Sequence, residues 1–187
     1  MIFNETELQG AYIIDIQPIS DDRGYFSRAM CKREFDQFGL MSCFVQANLT
    51  YSPRQGTLRG FHYQVAPFEE VKLVRCTRGA IYDVIIDLRP DSPTFEQWRA
   101  TELSADNHKT IYIPAGFAHG YQALLDDTEV YYQVGEFYTP EYDRGIRWND
   151  ATFAVQWPIM PPPILSEKDR RWPDYVREPA QAVRSAV

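Results

Sequence analysis

The sequence predicts an all-β fold, a sandwich or barrel of short strands, and three observations carry that expectation. Apolar-alternating or β-branched runs recur through the middle of the chain, over 72–76, 80–88, 97–103, 110–113, 120–124 and 128–135. Turn residues punctuate them at Arg78-Gly79, Pro90 to Pro93, Pro114-Ala115-Gly116 and Asp126-Asp127. Hydrophobic residues make up 44% and aromatics 14% of 187 residues, enough for the core of one domain. Short strands at regular spacing with turn signals between them are the pattern of all-β architectures.

The elements follow in order. Tyr12 to Ile16 reads as a strand with no obvious partner, and Ser20-Asp21-Asp22-Arg23-Gly24 as a turn. Lys32 to Phe38 predicts a short helix stopped by Gly39. Phe44 to Thr50 alternates in part, as a strand does. The two runs that flank Asp126-Asp127 predict a hairpin. From Trp157 the composition changes to Pro158, Pro161 to Pro163 and the charged Ser166-Glu167-Lys168-Asp169. That stretch reads as a wrap-around extension with short helical pieces. The expected organisation is therefore one domain over 1–187, with a core of about 10–157 and an extension over 158–187.

A formal net charge of -7 argues against a general nucleic-acid binder, whose affinity comes from neutralising phosphates. A small anionic ligand needs only a few converging arginines and stays open. Cys31, Cys43 and Cys76 have no metal-ligand spacing and suit reduced thiols in a cytoplasmic protein. No basic region followed by an apolar run opens the chain, and no apolar stretch approaches the roughly 20 residues that span a bilayer.

Three histidines are the first candidates for chemistry. His108 sits in the polar turn Asp106-Asn107-His108-Lys109 and reads as a surface residue. His62 and His119 each follow a glycine-bearing turn between apolar segments. Spacing alone leaves each of them either a hydrogen-bonded core residue or a reactive one. A metal site would require ligands among His62, Glu69, Glu70 and His119. The position two after His62 is Gln64, and glutamine is a poor ligand for zinc or iron. No metal is therefore expected.

A set of motifs then resembles one family. Arg59-Gly60-Phe61-His62-Tyr63-Gln64, Lys72-Leu73-Val74-Arg75, Tyr82-Asp83-Val84, Asp87-Leu88-Arg89 and Ser92-Pro93-Thr94 come first. Ile113-Pro114-Ala115-Gly116-Phe117-Ala118-His119-Gly120, Trp148-Asn149-Asp150, Trp157-Pro158 and Ser166-Glu167-Lys168-Asp169 follow. In this order they resemble the dTDP-4-dehydrorhamnose 3,5-epimerases over about residues 10–173. The resemblance implies a homodimeric cupin jelly roll with a few short peripheral helices, no cofactor, no metal and a nucleotide-linked 4-keto-6-deoxy sugar as substrate.

The resemblance also assigns roles. His62 matches the catalytic base, and Asp169 the carboxylate that fixes its tautomer and stabilises the imidazolium. Lys72 matches the ammonium that faces the enolate oxygen, and Tyr132 the general acid on the opposite face. Tyr131 is expected on the other side of the strand. Arg59 and Arg23 match positions that grip a pyrophosphate, Arg23 from a partner subunit, because guanidinium holds phosphate through paired hydrogen bonds. Gln46 and Asn48 match polar groups around the nucleotide, and Phe26 and Tyr138 aromatics that bracket its base. His119 and Asp83 are expected to line or brace the cavity. Arg28 and Glu70-Val71 depart from the family pattern, which leaves the nucleobase and the number of inverted centres open. A metal-dependent cupin and a sugar-binding module without catalysis are the alternative classes.

Overall fold

In the computed structural model, which describes residues 1–160 and 163–177, the chain runs β1 (Ile2–Glu5), β2 (Tyr12–Asp15), β3 (Ile19–Asp21), β4 (Gly24–Phe26), α1 (Lys32–Gln37), β5 (Gln46–Ser52), β6 (Leu58–Gln64) and β7 (Lys72–Arg78). It continues through β8 (Ala80–Asp87), β9 (Trp98–Ser104), β10 (Thr110–Ile113), β11 (Phe117–Ala123), β12 (Thr128–Val134), β13 (Asp143–Gly145) and α2 (Glu167–Arg170). Six strands form one sheet in the order β1-β2-β10-β7-β12-β5. Five form a second, β13-β6-β11-β8-β9, and β3-β4 stands apart as a hairpin. Pairing within the sheets is antiparallel. This is the cupin-like β-sandwich the motifs imply.

The period of two along each strand sorts residues into layers. Val74 and Cys76 of β7, Ile81 and Ile85 of β8, and Val130 of β12 meet between the sheets in one apolar cluster. Their strand neighbours point outward. Val84 and Ile86 of β8 and Ala118 of β11 join Phe153, Val155 and Trp157 on the outer face of the five-stranded sheet. Every residue of β11 is therefore buried. Leu73 of β7 faces the other way, under Phe35 of α1. Gly39 takes φ +66 at the stop of α1, the left-handed conformation that glycine adopts without strain.

Two expectations are corrected. β11 and β12 do not form a hairpin: β11 pairs with β6 and β8, and β12 with β5 and β7. The link through Asp126-Asp127 crosses from one sheet to the other, with Asp127 at φ +53. A turn signal marks a reversal of the chain; burial of both faces of β11 decides its neighbours. β2 does not lack a partner either, since it lies between β1 and β10. β1, β3, β4, β6 and β13 are strands beyond those expected. The extension runs back along β6: Thr57 bridges to Ile164, and α2 packs against β6. Residues 161–162 and 178–187 of the expected extension lie outside the described residues. Among the described residues no helix is long and apolar enough to cross a membrane.

Candidate active site

Towards one end of the sandwich the inward-facing positions change from apolar to polar. On β7 the series Cys76, Val74 ends in Lys72. On β5 the inward residues are Gln46, Asn48 and Thr50, and all three border a cavity of about 590 Å³. Its other walls include Arg59 and His62 of β6, His119 and Tyr121 of β11, and Tyr132 of β12. Tyr138, Asp143, Lys168 and Asp169 close one side.

Arg59 and His62 are three residues apart, so a regular strand would turn them to opposite faces. The register shows how both reach the cavity: His119 faces His62 and Tyr121 faces Arg59, leaving one extra residue on β6. That is a bulge. Gly60 sits in it at φ +122, and a Cβ there would lie 2.5 Å from Cα of Gly120. Only glycine meets both conditions.

His62 Nε2 lies 2.5 Å from Asp169 Oδ1. The carboxylate arrives from the extension, 107 residues later, on a single turn of helix. Ser166 Oγ caps that turn by accepting from the backbone N–H of Asp169 at 3.0 Å. Burial alone would raise the Asp169 carboxyl, but the His62 and Ser166 hydrogen bonds hold it below the usual carboxylate range. An ionised Asp169 accepts only, so Nε2–H donates to it and Nδ1 carries the lone pair. Trp172 stands edge-on to the imidazole with ring centroids 6.2 Å apart.

Lys72, at a strand start that sequence alone would leave in solvent, is 7% exposed. β10 and β12 flank it on both sides. Its ammonium is ion-paired with Glu70, whose carboxylate also borders the cavity. Tyr132 faces inward, whereas Tyr131 points to the opposite side of the sheet beside Arg75 and Gln133. Burial, with Glu70 second, pushes the Tyr132 phenol up, and Arg59 opposes them. Tyr121 and Tyr138 are the other phenols in the wall, and Tyr121 is the more deeply buried of these two. Burial pushes the Tyr121 phenol up to about 12, and its hydroxyl shares a 2.6 Å hydrogen bond with Thr50 Oγ1.

The cavity's other cations differ in pairing. Lys168 is ion-paired with Asp143. Arg59 donates only to neutral acceptors among the described residues, Tyr51 O at 3.1 Å and Ser52 Oγ at 3.5 Å. That leaves its charge available to an anion. His119 Nε2 lies 2.7 Å from Asp83 Oδ2, a fully buried carboxylate. Among the described residues no group of three His, Cys, Asp or Glu side chains could hold a metal ion.

The structure thus gathers His62, Asp169, Lys72, Tyr132, Gln46, Asn48, Arg59, His119 and Tyr138 at one cavity. It does not bring Arg23 or Phe26 there. Both lie on the β3-β4 hairpin, where Phe26 is 72% exposed and Arg23, among the described residues, is held by Asp21 alone. Arg28 is also remote, paired with Glu34 of α1 at 2.8 Å. Thr50, Tyr121, Asp143 and Lys168 are wall residues that sequence reasoning missed. The alternation of β5 and β11 was the available signal for the first two.

The family model described as dTDP-4-dehydrorhamnose 3,5-epimerase matches residues 5–176. An enzyme of that name from Sinorhizobium fredii is 40% identical over 179 residues, 96% of this chain and 92% of its own. Among solved structures, the dTDP-4-dehydrorhamnose 3,5-epimerase of Bacillus anthracis with TDP and PPi bound is 45% identical with TM-score 0.90, covering 93% of this chain and 99% of that one. A 3,5-epimerase of Legionella pneumophila in complex with dTDP-4-keto-L-rhamnose is 33% identical with TM-score 0.86, covering 92% of each chain.

Proposed function

We propose, for a chain that belongs to the dTDP-4-dehydrorhamnose 3,5-epimerase family, that this cavity inverts C3 and C5 of dTDP-4-dehydro-6-deoxy-D-glucose to give dTDP-4-dehydro-L-rhamnose. Membership makes the chain an isomerase, a carbohydrate epimerase. The observation that carries the reading is the cavity itself: the His62–Asp169 dyad, Tyr132 and Lys72 border one space.

The chemistry requires that arrangement. The ketone at C4 acidifies the protons at C3 and C5. His62, through Nδ1, removes one of them; Asp169 stabilises the imidazolium that results. The enolate oxygen lies against the Lys72 ammonium, which is already oriented in a wall with little water to reorganise. Tyr132 supplies a proton from the other face, and the centre is inverted. His62 then gives its proton to solvent and Tyr132 takes one back, and the second centre follows by the same steps. Arg59 takes the pyrophosphate as the cation without an acidic partner, and Gln46, Asn48 and Tyr138 border the nucleotide.

Arg23 and Phe26 enter this reading from a second copy of the chain, in a homodimer. Their exposed hairpin, with Ile19 also 72% exposed, supports that assignment. The chain works without a cofactor in this reading, as a single domain. Its three free cysteines suit a cytoplasmic enzyme.

The test is incubation with dTDP-4-dehydro-6-deoxy-D-glucose in deuterated water. Deuterium at both C3 and C5 of an inverted product is expected. Deuterium at one carbon only reduces the enzyme to a single-centre epimerase, and none at either removes the reading.

A further inference from the structure

Glu70 is a charged group in the cavity wall to which the proposed mechanism gives no task, and unlike Asp143 and Lys168 it contacts the Lys72 ammonium directly. It stands two residues before β7 and ends in an ion pair with the Lys72 ammonium. The two side chains are only 13% and 8% exposed. A buried pair of this kind is a poor source of stability, because desolvating both charges offsets their attraction. Its value must lie in what it does to its neighbours.

Two neighbours are affected. An ammonium has three N–H donors and rotates freely on a flexible stem. A carboxylate that takes one donor fixes Nζ and aims the remaining two. The second neighbour is Tyr132. Lys72 pairs with Val134 across β7 and β12, so Tyr132 is the next inward residue along the same strand. Glu70 and Arg59 oppose one another at its phenol, and Tyr121 and Tyr138 are the other phenols in the wall. His62 and Asp169 stand on the base's side of the cavity.

We propose that Glu70 is a positioning residue, which aims the Lys72 ammonium at the substrate ketone and keeps a negative charge in the cavity wall it shares with Tyr132. The proposal rests on the epimerase reading above. The sign follows from the charge. Tyr132 must be protonated to act as an acid, and burial and the Glu70 carboxylate both extend its protonated range upward. Removing the carboxylate withdraws one of those contributions. The alkaline loss of activity then begins at lower pH.

Glu70→Gln and Glu70→Ala separate the two effects. The amide oxygen of Glu70→Gln still accepts from Lys72 but carries no charge. It is expected to move the alkaline limb of kcat/KM to lower pH while losing less kcat than Glu70→Ala. In Glu70→Ala the ammonium loses its aim, and kcat falls by about 10–100-fold with KM within about threefold. Circular dichroism and dTDP binding like those of the wild type establish the fold of both variants. NMR titration of ring-labelled tyrosine, with no turnover involved, must show Tyr132 titrating lower in Glu70→Gln. An unmoved Tyr132 titration, or wild-type kcat in Glu70→Ala, overturns the proposal. Wild-type protein that incorporates no deuterium into the substrate defeats the epimerase reading instead, and the tyrosine titration distinguishes the two failures.

Discussion

His62 carries a hydrogen bond that assigns each ring nitrogen a task. Because Nε2–H is committed to an ionised Asp169, the basic position is Nδ1. Asp169→Asn keeps the size of the side chain but can hold the imidazole in the wrong tautomer. Its kcat is expected to fall by about 10²–10⁴-fold with dTDP affinity unchanged, measured by steady-state kinetics and calorimetry. Tyr132→Phe has a different signature. The base still forms the enolate, so deuterium from solvent enters recovered substrate while inverted product falls by about 10²–10⁴-fold. Equal loss of exchange and inversion would take the acid role from Tyr132. At this scale the sequence was informative about residue types and poor about environments. Lys72 opens an apolar strand, a position where a lysine reads as solvent-exposed; its burial comes from β10 and β12, which are far away along the chain. Asp169 in isolation is a helical carboxylate of the kind usually left in water.

β6 shows how one element brings two side chains to one cavity through a single local irregularity. The bulge at Gly60 turns Arg59 and His62 to the same face, and the close approach to Gly120 leaves no room for a side chain. Gly60→Ala adds a left-handed strain of about 1–3 kcal/mol and a backbone clash on top of it. Denaturant unfolding is expected to show a loss of at least that size, and surviving folded protein should lose kcat through misplacement of His62. A variant with wild-type stability and activity would mean that β6 does not need the bulge. The glycine was visible in the sequence, but its meaning was not. β6 was read as a motif after a turn, because Arg-Gly-Phe-His breaks the alternation that identifies strands. The register of β11 against it is what turns the break into a bulge.

For the whole molecule, the placement of Arg23 and Phe26 is the decisive feature. Both extend from an exposed hairpin instead of entering the cavity of their own chain. If they complete a partner's site, mixing two inactive variants must restore activity. In the proposed homodimer, Arg23→Ala and His62→Ala are each expected to be deficient. A mixed dimer contains one site with native His62 from one chain and native Arg23 from the other. Recovery on refolding the two together is expected, and no recovery above the separate variants would place Arg23 outside the partner's site.

The sequence alone determined the all-β class, most strand positions and, through its motifs, the family; it also named the residue types proposed here for proton abstraction and return. These are properties of short stretches, where a period of two, a turn residue or a motif is complete within about ten residues. The tertiary structure decided which sheet each strand joins, that Asp126-Asp127 links two sheets, that Glu70 is held by Lys72, and that Asp169 reaches His62. Those depend on pairs of residues distant in sequence, whose meeting is set by burial and strand order across the whole fold. No local pattern contains them.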